Sequence, residues 1–186
     1  LYEAFYADQE KFTELYTKYE RSKTLRTKTI SAMDLFSALI KERAETGRIY
    51  IMNVDHANTH SSFLDPVFMS NLCQEITLPT TPLGHIDDPD GEIALCILSA
   101  INVGNLRELD DLKNLTELAV RALDQIIDYQ RYPVAAAEKS TKARRSLGIG
   151  YIGLAHYLAK KGLKYSEIEA AQAVNRLTEA FQYYLI

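Results

Sequence analysis

The sequence has no tryptophan and only two cysteines, Cys73 and Cys96, in 186 residues. A secreted disulfide scaffold would carry more cysteines, and these two do not form the C-x-x-C spacing of a metal or redox motif. Two such cysteines are typical of a reducing cytosol, so we expect a cytoplasmic protein. No apolar run approaches the roughly 20 residues that cross a bilayer, so we expect no membrane association through a transmembrane helix.

Charge of one sign is not concentrated anywhere in the chain. The formal net charge is −4, from 21 basic and 25 acidic residues. The densest basic run, Lys142, Arg144 and Arg145, is too short for the footprint of a nucleic-acid-binding protein. We therefore expect no nucleic-acid polymer among the partners. The chain begins with Leu1 and ends in the apolar residues 181–186, so we expect both ends to be cuts within a longer protein.

Hydrophobic spacing predicts a helix-rich chain with few strands. Apolar residues recur every three or four positions in five predicted helices, at residues 8–21, 31–47, 108–129, 146–161 and 166–185. Ser31 is the expected N-cap of the second helix and Gly47 its end. β-Branched and apolar runs predict strands at residues 48–54 and 93–98, with a loop over 55–66. This alternation indicates the α/β class, with too few strands to close a barrel.

Three motifs suggest functions that their surroundings do not favour. Residues 148–153 match G-x-G-x-x-G, but polar and basic residues precede them where a dinucleotide site needs a strand. We interpret these glycines as small residues that let the start of a helix pack closely against a neighbour. His56 and His60, beside Asp55, have metal-ligand spacing without an obvious third ligand, so we expect no metal site. Tyr183-Tyr184 could relay electrons, but packing is the favoured interpretation.

The residues with the clearest chemistry lie between positions 71 and 75. In an extended segment alternate side chains share one face, so Asn71, Cys73 and Glu75 would point the same way. An amide, a thiol and a carboxylate together offer a hydrogen-bonding group, a redox-active or nucleophilic sulfur and a proton acceptor. From the pattern alone, a polar strand edge with a chance cysteine is equally consistent.

Residues 70–80, with the sequence SNLCQEITLPT, resemble the active-site finger loop of the large, catalytic subunit of class I ribonucleotide reductases of bacteria and phages. Other segments resemble the same family in the same order: EAFYAD at 3–8, TGRIYIMNVDH at 46–56, GEIALC at 91–96 with LSA at 98–100, DYQ at 128–130 and RRSLGIG at 144–150. The resemblance implies that the α/β fold is part of the family's ten-stranded barrel. Residues 1–186 would be a partial catalytic barrel domain, helical over 1–47, with strands and the finger loop over 48–100, and helical over 101–186.

The resemblance implies a radical mechanism for reducing ribonucleoside diphosphates to 2′-deoxyribonucleoside diphosphates. Cys73 would become a thiyl radical and take the 3′ hydrogen, Glu75 would accept the 3′-hydroxyl proton and Asn71 would orient the substrate. Cys96 would be one member of the reducing cysteine pair, whose other member lies outside this chain. The expected substrate-binding residues are those of the finger loop, Asn71, Leu72, Cys73, Gln74 and Glu75.

The resemblance also implies which partners the chain needs. We expect it to bind no cofactor, because the radical would come from a separate, metal-containing small subunit. ATP and dNTP effectors would bind regions outside this chain, and a thioredoxin- or glutaredoxin-type protein would supply electrons. The chain needs the remainder of the large subunit and is expected to be inactive alone. Two alternatives stay open, namely a complementing half of a split reductase and a non-radical thiol enzyme that uses Cys73 and Glu75.

Overall fold

The computed structural model describes residues 1, 4–5 and 8–186. The first family-like segment, residues 3–8, therefore lies partly outside the described residues. The chain divides into two compact units, Leu1–Thr80 and Thr81–Ile186. The first contains Cys73, and the second contains Cys96.

The first unit begins with two helices that the sequence predicted. Helix α1 spans Gln9–Glu20 and helix α2 spans Ala32–Thr46. Ser31 caps α2 as expected, because its hydroxyl oxygen accepts a hydrogen bond from the Asp34 N–H over 3.3 Å. Gly47 ends the helix with φ of 65°, a left-handed conformation that costs glycine little.

The strand predicted at residues 48–54 is wrong. Residues 48–53 are irregular, and a short helix, α3 (Val54–Thr59), occupies part of the predicted loop. The Ile49 carbonyl oxygen is hydrogen-bonded to a side chain and not to a neighbouring strand, because Arg43 Nη1 donates to it over 2.5 Å. A strand is stable only with a hydrogen-bonded neighbour, which sequence alternation does not supply.

The second unit contains a parallel strand pair surrounded by helices. In chain order its elements are β1 (Ile97–Asn102), a 3₁₀ turn (Val103–Asn105), α4 (Asp111–Tyr129), α5 (Ala135–Arg144), β2 (Leu147–Ile152), α6 (Leu154–Lys160) and α7 (Ile168–Leu185). Strands β1 and β2 pair in parallel, with Ile97 opposite Leu147 and Asn102 opposite Ile152. The mixture of helices and strands confirms the α/β class.

Two predicted elements of this unit need correction. The strand predicted at residues 93–98 starts at Ile97 and continues to Asn102. The single helix predicted over 146–161 is strand β2 followed by helix α6, and Gly153 breaks the chain between them with φ of 78°. Strand β2 exists because it pairs with β1, a partner about 50 residues away that a helical periodicity cannot reveal.

Helices α4 and α7 cover the core of the second unit. The residues at the centre of this core are fully buried or nearly so: Ile101, Val103, Leu106, Leu112, Tyr157, Leu158, Ala170, Ala173, Leu177 and Phe181. The two helices also approach closely at Thr116 in α4. Its hydroxyl donates to the Leu112 carbonyl oxygen over 2.8 Å and lies 3.2 Å from the Tyr184 carbonyl oxygen in α7. Burial of this kind, worth about 25 cal/mol per Å² of apolar surface, fixes β1 in place. None of the helices in the described part of the chain is long and apolar enough to span a membrane.

Candidate active site

Cys73 lies in a tight turn that is held by hydrogen bonds from the backbone and the side chain of Asn71. The Gln74 N–H donates to the Asn71 carbonyl oxygen over 3.2 Å, which makes a β-turn of residues 71–74. The Asn71 N–H donates to the Ile76 carbonyl oxygen over 3.2 Å, and the Ile76 N–H donates to Asn71 Oδ1 over 3.0 Å. The expected extended segment is therefore wrong, and the alternation rule does not place Asn71, Cys73 and Glu75 on one face. The three residues lie within five consecutive positions of one short loop.

The turn presents its side chains outward. Cys73 is exposed, Leu72 is 82% exposed and Glu75 is exposed. Among the described residues, none covers the Cys73 thiol.

The Gln74 side chain points inward, away from the exposed side chains of the turn. Its amide lies against the backbone of residues 51 and 52. Oriented to satisfy both groups, it donates to the Ile51 carbonyl oxygen over 3.0 Å and accepts from the Met52 N–H over 3.2 Å. Its φ of 64° is left-handed, which costs a residue with a Cβ about 1–2 kcal/mol. The amide contacts offset this cost and join the turn to the segment that precedes α3.

Sequence reasoning missed Asn58, which anchors the chain on the way into the turn. Asn58 Nδ2 donates to the carbonyl oxygens of Val54 (3.0 Å) and Val67 (2.8 Å), and its Oδ1 accepts from the Val67 N–H over 2.7 Å. The side chain thus pairs with the Val67 backbone as a neighbouring strand would. A lone asparagine between two histidines carries no signal of a partner nine residues away, so spacing could not reveal it.

Cys96 lies just before β1 in the second unit and is half-buried. Burial raises the pKa of its thiol, because the charged thiolate is poorly solvated there. Gly148 in β2 provides the room beside it. A Cβ at position 148 would lie 3.1 Å from Cys96 Sγ and would collide with Leu98 Cδ2. The glycine thus permits a close approach, but across a strand pair and not at the helix start that we expected.

An ion pair holds the segment that leads to Cys96. Arg144 Nη1 lies 2.7 Å from Glu92 Oε2, with both side chains less than one-fifth exposed. The Ile93 N–H also donates to the Ala136 carbonyl oxygen over 3.2 Å. Breaking one partner of a largely buried pair leaves an uncompensated charge, which costs about 3–5 kcal/mol. Residues 92–96 are therefore fixed against α5.

A family model described as the barrel domain of ribonucleotide reductase matches residues 2–186. The chain belongs to this family. The resemblance seen in the separate motifs is confirmed, and it extends over nearly the whole chain.

Named relatives agree with this assignment. The chain is 59% identical over 189 aligned positions to the ribonucleoside-diphosphate reductase subunit alpha of Haemophilus influenzae, and 54% identical to reductase 1 subunit alpha of Escherichia coli. Both alignments cover all of this chain and 25% of the relative. The large subunit from Plasmodium falciparum is 34% identical over 94% of this chain and 22% of its own length. The chain thus spans about a quarter of the length of these relatives.

In this ribonucleotide reductase barrel chain, the glycine and histidine motifs lie on elements other than those expected. Gly148 and Gly150 lie within β2, so they do not form the strand-to-helix turn of a dinucleotide site. His56 lies on α3, where a loop was expected, and His60 follows its last turn. Among the described residues, no three His, Cys, Asp or Glu side chains cluster as a metal site would need.

The tyrosine pair near the end of this reductase chain is packed and hydrogen-bonded. The rings of Tyr183 and Tyr184 meet edge to face with centroids 5.3 Å apart. The Tyr184 hydroxyl donates to Asp110 Oδ1 over 3.1 Å, and this bond raises the pKa of Tyr184. These contacts join the end of α7 to the residue before α4, which favours the packing interpretation.

Proposed function

We propose that this chain carries the hydrogen-abstracting thiol of a ribonucleotide reductase large subunit. The complete subunit would reduce ribonucleoside diphosphates to 2′-deoxyribonucleoside diphosphates. The observation that supports this most is the exposed turn with Cys73 between Asn71 and Glu75, in a chain that matches the reductase barrel domain from residue 2 to residue 186.

The first step is removal of the 3′ hydrogen by Cys73. A separate radical-generating small subunit, which contains a metal, takes one electron and a proton from the thiol and leaves a thiyl radical. As the S–H bond forms again, the C3′–H bond breaks and the radical moves to the sugar. The two bonds are similar in strength, so the transfer is nearly balanced. Reacting atoms must approach within about 3–3.5 Å, which the exposed turn allows.

Glu75 and Asn71 assist the loss of the 2′-hydroxyl. The Glu75 carboxylate accepts the 3′-hydroxyl proton as a general base, while the 2′-hydroxyl takes up a proton from a thiol of the reducing cysteine pair and leaves as water. We assign the substrate contact of Asn71 to its amide nitrogen, because Oδ1 already accepts from the Ile76 N–H. The backbone of residues 72–74 completes the substrate site.

Cys96 supplies part of the reduction. Two electrons come from Cys96 and a cysteine outside this chain, which join in a disulfide. Of the two thiol hydrogens, one leaves in the water and the other forms the new C2′–H bond, and Cys73 then returns its hydrogen to C3′. The raised pKa of the Cys96 thiol keeps it protonated until the reduction step. A thioredoxin- or glutaredoxin-type protein then reduces the disulfide in the cytoplasm. Effector nucleotides, ATP or dNTPs, act through regions outside this chain.

Reconstitution of the complete large subunit tests the proposal. With the small subunit, a dithiol reductant and a ribonucleoside diphosphate, it should produce the deoxynucleotide, and Cys73→Ser should reduce production to background. The 186-residue chain alone should give no product, since it holds only one member of the reducing pair. Product formation by the chain alone, or by the Cys73→Ser subunit, would contradict the proposal. Activity that appears only when two separate chains are mixed would favour a split reductase.

A further inference from the structure

We propose that Asn58 is a positioning residue that sets where Cys73 stands relative to the substrate. This inference rests on the function proposed above and adds to it a residue that does not touch the substrate. Its basis is the pairing of one side-chain amide with both backbone groups of Val67, six residues before Cys73.

Burial makes this pairing important. Val67 is 0% exposed, so water does not replace a lost partner of its backbone N–H and carbonyl groups. An unpaired buried group of this kind costs about 1–3 kcal/mol. Asn58 supplies an acceptor and a donor at 2.7 and 2.8 Å, and a second bond to Val54 at 3.0 Å fixes the amide on its own helix. The Val67 backbone is therefore tied to α3 in one geometry.

Only residues 68–70 separate this anchor from Asn71, where the catalytic turn begins. Asn71 and Asn58 hold different parts of this segment. Asn71 sets the internal shape of the turn through its bonds to Ile76, whereas Asn58 sets the place from which the turn projects. A shift of about 1 Å at a reacting atom can cost on the order of a hundredfold in rate. Loosening the anchor should thus impair hydrogen transfer even when the turn itself stays intact.

The test is Asn58→Asp in the complete large subunit, assayed with the small subunit. The carboxylate keeps the acceptor for the Val67 N–H but removes both donors and places a charge beside two carbonyl oxygens. We expect kcat to fall on the order of tenfold or more, with KM changed far less. We also expect the 3′-deuterium isotope effect on kcat to increase, because hydrogen transfer becomes the slow step. Thr59→Ala is the matched control, since it removes a 2.8 Å bond to Asp55 within α3 and should change neither quantity.

The isotope effect separates positioning from folding. Molecules that fail to fold contribute no turnover, so the isotope effect of the residual activity reports only on folded enzyme. A fall in kcat with an unchanged isotope effect, or an unchanged kcat, would overturn the role of Asn58. Neither result would touch the proposed function, which fails only if the parent subunit is inactive or if Cys73→Ser remains active.

Discussion

The two cysteines of this chain lie in opposite kinds of environment. Cys73 is exposed at the tip of a turn that hydrogen bonds from asparagine and glutamine side chains hold in place. Cys96 is half-buried just before strand β1, beside Gly148, and it follows a segment that the largely buried Arg144–Glu92 ion pair holds. The first environment leaves the thiol uncovered by the other described residues. The second holds a protonated thiol in a fixed place and limits its reactivity with solvent.

The two environments suit the two different roles that we propose for these cysteines. A thiol that abstracts a substrate hydrogen must reach the substrate, so a projecting loop suits it. A thiol that delivers electrons must meet one particular partner cysteine, and disulfide geometry tolerates little misplacement. A rigid strand suits that task better. If the two environments do have these two roles, then changes at each should fail in different ways.

The largest expected effect that separates the two roles comes from Cys96→Ser in the complete subunit. Deoxynucleotide production should fall to background, because one sulfur cannot supply two electrons and form a disulfide. Cleavage of the 3′ C–H bond should persist, since Cys73 is unchanged. Product analysis together with release of a 3′ hydrogen label into water measures both. Unaltered multiple turnover would indicate a thiol enzyme without radical chemistry.

A smaller effect is expected from Gly148→Ala, which crowds Cys96 from the opposite strand. The new methyl group would lie 3.1 Å from Sγ and would collide with Leu98 Cδ2, so both side chains must move to admit it. We expect kcat to fall several-fold because the sulfur is displaced, and the free energy of unfolding to fall by about 1–3 kcal/mol, the usual cost of overpacking.

Gly150→Ala is the matched control for this variant. It lies two residues along the same strand, and its added Cβ would meet nothing within 4 Å. Equal losses from both alanines would mean that strand flexibility, and not the space beside Cys96, explains the effect.

The smallest effect concerns the pH at which Cys96 reacts. Alkylation requires the thiolate, and burial raises the pKa of the Cys96 thiol. The pH midpoint for alkylation of Cys96, followed by peptide mass spectrometry, should therefore be higher in the folded subunit than in urea. The same shift means that the folded state binds more protons above the pKa of the unfolded thiol. The protonated Cys96 thiol therefore favours the folded state fully below the unfolded pKa, and this part of the free energy of unfolding is lost as the pH rises through the folded pKa. An equal or lower midpoint in the folded subunit would show that Cys96 is not shielded.

The sequence predicted the elements that local patterns determine. The apolar stripe of residues 108–129 became helix α4, Asp111–Tyr129, and the cap at Ser31 formed as expected. Strand β2 could not be predicted in this way, because its hydrogen-bonding partner is distant in the sequence. Its glycines, Gly148 and Gly150, were interpreted within a helical periodicity that the strand pairing overrides.

The candidate site shows the same limit. Family motifs predicted site roles for Cys73, Asn71 and Glu75, and these roles stay predictions. The alternation rule gave the wrong geometry, because Asn71 folds the segment into a turn. The anchor at Asn58 depends on the place where the chain returns at Val67. No spacing rule predicts such a return, so residues that position a reactive group are harder to find than the group itself.

The most direct test asks which sulfur removes the 3′ hydrogen. A ribonucleoside diphosphate labelled with tritium at C3′ would be given to the complete large subunit together with the small subunit. A thiol that takes this hydrogen exchanges part of it with water, so the parent subunit and the Cys96→Ser variant should both release tritium. The Cys73→Ser variant should release none. Tritium release from Cys73→Ser at the parent rate would contradict the assignment of Cys73 as the hydrogen-abstracting residue.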